Sequence, residues 1–358
     1  MRVTIERLTL TLSALVAAAT LFRPANDVAH AAPSYAAEGS NARRDRVATA
    51  TVASDSNVPD WLFPIPPRPA PGAVPTVYDS VMPVRLPRVR VAFKESQLHN
   101  LFFAPDWDPS AHPTMPAVVA RGRQPVLFAC AYCHMPDGAG RPENVPLAGL
   151  PAAYIVQQVA DMKSHARSTA WKGVPWAPFA NMLKAAEGAT DDEVREAAEY
   201  FSSLKPRQRT RVVERKSIPR VEPVLGIHAM ARGGGTEVLG NRLIEAPLDI
   251  ARHDHRDPYL GYVAYVPVGS IARGQMLSLK PMNDLQQVCG SCHGPALQGV
   301  GAIPPLAGVS PGYIVRQLVG FKSGARATPA SAPMIAIASA MSLDDMIAVA
   351  SYAATLKR

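Results

Sequence analysis

All four cysteines of the chain sit in two copies of one pentapeptide. Cys130-Ala131-Tyr132-Cys133-His134 and Cys289-Gly290-Ser291-Cys292-His293 both read Cys-x-x-Cys-His, the attachment sequence of c-type haem. Two residues between the thiols set their separation to match the porphyrin edge, where the vinyl groups become thioethers. The histidine that follows then lies beneath the iron. A four-cysteine zinc site would have to bring together pairs with 155 residues between them and leaves both histidines unexplained. A thioredoxin-like redox pair gives no reason for a histidine directly afterwards, twice. The chemistry expected is electron exchange at two covalently bound haem c irons.

The pentapeptides belong to a longer repeat. Pro146-Leu147-Ala148-Gly149 recurs as Pro305-Leu306-Ala307-Gly308, and Tyr154-Ile155-Val156 as Tyr313-Ile314-Val315. Over 146–167 against 305–326, twelve of twenty-two positions are identical at an offset of 159, which the haem motifs share. This is a duplicated domain. Each copy ends on a capped helix: Thr190 with Glu193 in the first, Ser342 with Asp345 in the second, followed by apolar residues at helical spacing. An earlier helix is expected over roughly 152–164 and 311–323.

An iron that only carries electrons keeps six ligands, and histidine plus methionine is the usual pair. Met182 lies eight residues before the cap Thr190, and Met334 eight before the cap Ser342. That matched spacing selects them as the second axial ligands, each on a loop that Pro333 stiffens only in the second half. Met341, which an ungapped alignment would choose, sits beside the last helix and reads as a core seal. Met162 falls mid-helix and Met135 next to the ligand histidine, so neither is placed to reach the far haem face. The expected haem-binding residues are Cys130, Cys133, His134 and Met182 in one half, and Cys289, Cys292, His293 and Met334 in the other.

These residues resemble the tandem dihaem class I cytochromes c over about 113–206 and 266–358. The resemblance implies an all-α fold, two class I cytochrome c domains in tandem, with His/Met ligation and electron transfer. It also implies that a backbone carbonyl ahead of the Leu-Ala-Gly segment holds the other nitrogen of each ligand histidine. The candidates are Val145 or Pro146, and Pro304 or Pro305. Such bonding fixes the ring and tunes the metal.

The chain has 358 residues, 47% apolar and 18% charged, which excludes wholesale disorder and a multi-span membrane protein. Arg2 and Arg7, an apolar run from Leu8 to Phe22 and Ala29-His30-Ala31 describe a secretory signal over 1–31, so a periplasmic location is expected; an uncleaved anchor is the lesser reading. Residues 32–75 are rich in proline and alanine and read as an extended tether. The first cytochrome domain is placed at 76–206 and the second at 266–358. Between them runs an irregular connector, 207–265, with strand character at Thr210 to Glu214 and Gly261 to Val268, and a loop at Gly233-Gly234-Gly235.

Lys205, Arg207, Arg209, Arg211, Arg215, Lys216 and Arg220 crowd the start of that connector. Export argues against nucleic acid. An acidic redox partner or anionic lipid heads at a membrane surface would fit the patch, and a merely solvated connector fits it equally. His253-Asp254-His255 reads as a polar loop sooner than a metal site. The function expected is a dihaem carrier between a dehydrogenase and an oxidase or other cytochrome, either free or as a dehydrogenase subunit. A dihaem peroxidase with one open iron is the enzymatic alternative, opposed by a methionine at matched spacing in both halves.

Overall fold

The computed structural model describes residues 58–69, 71–74, 76–281 and 287–358. The signal-like segment 1–31 and most of the expected tether lie outside them. All elements and contacts below belong to one compact unit, which takes in 58–73 and 78–358 among the described residues.

What the sequence reads as a tether ends in a structured plug. Asp60–Leu62 form a 3-10 turn, and Leu62 and Phe63 are buried at 2% and 4% exposure. Phe63 stacks on Trp171 and meets Trp176 edge-on, 5.4 Å between centroids. A run that carries Trp61, Leu62 and Phe63 among its prolines has apolar area to bury, and it does so.

A hairpin follows, β1 (Pro83–Arg85) antiparallel to β2 (Ala92–Lys94), with a one-turn helix α1 (Glu95–Leu98). Leu86, Leu98 and Trp107 form its own small core. The helical part of the first half then comprises α2 (Ala117–Ala120), α3 (Cys130–His134), α4 (Ala152–Lys163), α5 (Ala177–Gly188) and α6 (Asp191–Ser203). The capping box at α6 forms as its residue types require: the Glu193 amide donates to Thr190 Oγ1 and the Thr190 amide to Glu193 Oε2. Val119, Leu127, Ala131, Ala148, Ala198 and Phe201 make the core of this half.

The connector is not irregular, and this corrects the all-α expectation. It holds β3 (Thr210–Glu214), β4 (Ser217–Pro219), β5 (Val221–Val224), β6 (Ile227–Met230), β7 (Thr236–Val238), β8 (Ile244–Pro247), the short α7 (Ile250–Asp254) and β9 (Tyr262–Val266). β9 is the centre of a three-stranded sheet, parallel to β3 and antiparallel to β8. β4 pairs with β7, and β5 with β6. The two stretches with strand character became β3 and β9. The other strands are only three or four residues long, too short for period-two alternation to stand out.

The second half comprises α8 (Ser270–Leu279), α9 (Cys289–His293), α10 (Pro311–Lys322), α11 (Ala332–Ser339) and α12 (Leu343–Thr355). α8 crosses α12 so closely that a Cβ on Gly274 would stand 2.0 Å from the Ala348 carbonyl oxygen, which explains the glycine. Ser342 and Asp345 cap α12 reciprocally. Among the described residues no single helix is long and apolar enough to cross a membrane.

The halves meet along a seam built from repeated residues. Arg167 and Arg326 pair in an isolated antiparallel bridge, and the Ser168 amide donates to the Ala325 carbonyl at 2.7 Å. The connector clamps both sides. From β8, Glu245 accepts from Ser310 Oγ at the start of α10 and from Thr210 Oγ1 on β3. Arg256, just after α7, lies 3.6 Å over the Tyr132 ring and donates to the Tyr132 carbonyl, so it braces the first pentapeptide from outside.

Candidate haem sites

Each pentapeptide forms one helical turn, α3 or α9, and each histidine is buried at its end. His134 Nδ1 lies 2.9 Å from the Val145 carbonyl oxygen, and His293 Nδ1 lies 2.8 Å from that of Pro304. A carbonyl can only accept, so Nδ1 carries the proton and Nε2 keeps its lone pair for a metal. Of the candidate carbonyls, the structure selects Val145 over Pro146 and Pro304 over Pro305. Burial lowers both histidine pKa values, which keeps the rings neutral.

The carbonyl is delivered by a tight loop that both halves build alike. The Gly140 amide donates to the His134 carbonyl and the Gly299 amide to that of His293. Both glycines have positive φ, 63° and 83°, and a Cβ on either would strike the loop's own backbone.

The first half opens a cleft of about 1500 Å³, its mouth included. Cys130, Cys133 and His134 line one wall, while Met162, Met182, Phe63 and Trp176 line others. The Trp176 indole is held from the connector: its Nε1 donates to the Gly226 carbonyl at 3.0 Å, in the turn between β5 and β6. Both cysteines are free thiols, and burial pushes Cys130 up to about 12 and Cys133 in the same direction. Thiols raised in this way are the reverse of the depressed pKa that a thioredoxin-like pair needs.

Met182 lies on α5 and Met334 in the first turn of α11, so both stand on helices where the sequence suggests loops. A proline opens each helix, Pro178 and Pro333. Met162, which sequence spacing leaves out, also lines the first cleft. Met334 is half-buried and packs on the same core as Cys289, while Met341 is sealed in that core at 3% exposure. Phe63, Trp176 and Arg316 are cleft residues that the sequence does not announce, because each comes from a segment remote from the pentapeptide.

His253 is no metal ligand: its Nε2 lies 3.4 Å from Glu143 Oε1 and its Nδ1 3.2 Å from Tyr262 Oη. His255 bonds Glu95 instead. Among the described residues no group of three or more His, Cys, Asp or Glu could hold a metal ion. The basic stretch is likewise divided. Arg209 lies over Tyr262 and donates to the carbonyls of Gly140, Asp257 and Leu260, and Arg207 lies over Tyr259 and pairs with Asp137. Those two are structural.

The cytochrome c family model matches residues 119–205. The chain is 30% identical over 238 residues to the thiosulfate dehydrogenase electron acceptor of Stutzerimonas stutzeri, an alignment that spans 66% of this chain and 82% of that protein. It is 26% identical to cytochrome c4 of Azotobacter vinelandii over 68% of this chain and 90% of that one. Among solved structures, thiosulfate dehydrogenase TsdBA from Marichromatium purpuratum aligns with a TM-score of 0.46 at 26% identity, over 67% of this chain and 39% of that one. The family model, the relatives and the site together define a cytochrome c, which binds haem c covalently and transfers electrons. The chain belongs to the tandem dihaem class I cytochromes c.

The residues present fit that group. Free thiols, a histidine with Nε2 available and a largely apolar cleft meet at the first site. At the second, Cys289, Cys292 and His293 repeat the arrangement, with the same carbonyl contact.

Proposed function

We propose that the chain is an exported, periplasmic dihaem electron carrier that takes electrons from a dehydrogenase and passes them to an oxidase or another cytochrome. The observation that carries this reading is the duplicated contact of His134 with Val145 and His293 with Pro304. Two proton-fixed imidazoles, each presented by the same loop, are what two matched one-electron centres need. Cys130 and Cys133 would hold one haem and Cys289 and Cys292 the other, with Met182 and Met334 as the sixth ligands. When bound, each haem supplies one-electron exchange at its iron. The chain's part is to orient the imidazoles, exclude water with Phe63 and Trp176, and keep both irons saturated. A soft thioether opposite histidine favours ferrous iron and raises the potential.

The name of the Stutzerimonas relative supports a donor that oxidises thiosulfate, met transiently or in a stable complex. The exposed Arg211, Arg215, Lys216 and Arg220 remain for an acidic partner surface or an anionic membrane face. The test is haem-loaded protein mixed with a purified thiosulfate dehydrogenase and thiosulfate. Two covalent haems per chain and their reduction within the enzyme's turnover time support the reading. One haem per chain, or no reduction by this or other periplasmic dehydrogenases, overturns it.

A further inference from the structure

The seam between the halves is reciprocal except at one turn of the facing helices. Tyr154, Gln158 and Arg167 correspond to Tyr313, Gln317 and Arg326 at the 159 offset, and each set bonds the other. At the same offset Arg316 of α10 replaces Gln157 of α4, and Gly320 replaces Asp161. Arg316 and Gly320 both line the first cleft.

Arg316 reaches across the seam. Its guanidinium lies 4.8 Å over the Trp176 ring and donates to the carbonyls of Leu62 and Pro142. All three partners belong to the first half or to the plug before it. Gln157, by contrast, is uncharged and exposed, with its Nε2 tied to Asp161 Oδ1 at 2.7 Å. Arg326 of the second half lines the cleft as well, but Arg167 of the first half is its match across the seam; Arg316 is the cation without a counterpart at the repeat offset.

We propose that Arg316 is the positioning residue that sets the first iron's potential above the second's. This rests on the two-haem carrier reading. Reduction adds one negative charge to a site, so a fixed cation nearby lowers the energy of the reduced form, strongly where water is excluded. Two carboxylates act on it, Glu245 and then Glu143. Glu143 is balanced by Arg141, and Glu245, which accepts from the hydroxyls of Ser310 and Thr210, does not line the cleft. Burial also pushes the Glu245 carboxyl up, towards its neutral form. Arg316 itself falls to about 10 through burial and stays charged at neutral pH. An electron that enters at either iron then settles at the first.

The test is a spectroelectrochemical titration of the haem-loaded protein, wild type against Arg316→Gln, which restores the residue of the other half, and Arg316→Lys. The wave that Met182→Ala displaces identifies the first site. In Arg316→Gln that wave should fall by about tenfold in its equilibrium constant, 59 mV for a one-electron couple, with the other wave unmoved. Arg316→Lys should retain most of the difference. An unmoved first wave in Arg316→Gln overturns the proposal, and so does an equal fall in Arg316→Lys, which would indicate lost packing instead of lost charge. Either result leaves two one-electron waves and hence the carrier reading intact. Absence of two such waves in the wild type would overturn both.

Discussion

Arg167 and Arg326 are backbone partners, and each guanidinium donates to both Gln158 Oε1 and Gln317 Oε1. Four residues that a duplication made in pairs thus close on one another, two cations sharing two amide oxygens. Such an arrangement forms only when the two halves dock on matching faces, so the repeat carries its own interface. It also stakes much on two glutamines. Hydrogen bonds to charged groups are each worth about 1.5–3 kcal/mol.

Gln317→Leu should therefore destabilise the docked form by at least one such bond, because it strips an acceptor from Arg167 and Arg326 together. An exposed control on α6, Glu199→Gln, should stay within about 0.5 kcal/mol of wild type, as surface changes do. Thermal melts of the two variants separate the cases. Equal melting temperatures would mean that the seam contributes little.

The methionines are separable by spectroscopy. Met182→Ala should abolish the sulfur-to-iron charge-transfer band of one haem, and Met334→Ala that of the other. Met162→Ala and Met341→Ala should leave both bands and cost stability instead, about 2–5 kcal/mol for a buried methionine. Met162 is the sharper control, since it shares the first cleft with Met182.

Acid should weaken the fold through the Arg141–Glu143–His253 cluster. Burial alone would push the Glu143 carboxyl up, but Arg141 and His253 hold it at about 2, against an ordinary 4.5. A carboxylate depressed in the folded state stabilises it fully above the unfolded pKa, and that contribution is lost as pH falls from about 4.5 towards 2. Burial likewise lowers His253, so its contribution begins to fade below its ordinary 6.5. Urea titrations between pH 7 and pH 3 should show falling stability, and Glu143→Gln should be less stable at neutral pH but flatter below pH 5. A Glu143→Gln profile parallel to wild type would contradict this.

Gly274→Ala places a methyl group where α8 meets the Ala348 carbonyl, 2.0 Å away, so one helix must move. Overpacking of this kind costs about 1–3 kcal/mol. The melting temperature should drop, while Ala substitution at the neighbouring exposed Gln275 or Met276 should be nearly neutral.

The parts of this molecule governed by short spacings were readable from the chain. The pentapeptides, the helices 152–163 and 311–322 and the caps at Thr190 and Ser342 all depend on residues within about a dozen positions of each other. The histidine-fixing carbonyls came from the resemblance and only as two candidates in each half, between which the structure chose. What escaped depends on distant partners. β3 finds its parallel neighbour β9 some fifty residues on. Arg209, His253 and Arg256 read as solvated charges until Gly140, Glu143 and Tyr132 arrive from the other end of the fold to bury them. Phe63 looks like part of a tether because prolines surround it, yet its ring has Trp171 and Trp176 to cover. Polar residues with remote partners carry no local periodicity, so the connector passes for a spacer when it is a clamp.

The central claim is that both irons carry six protein and porphyrin ligands and only exchange electrons. Carbon monoxide added to the reduced, haem-loaded protein tests it most directly, because the gas binds only at a free iron position. The expected result is no change in the visible spectrum at either haem over minutes. Fast binding at one haem would contradict the claim, remove Met182 or Met334 as a ligand, and make an enzyme with one open iron the better description.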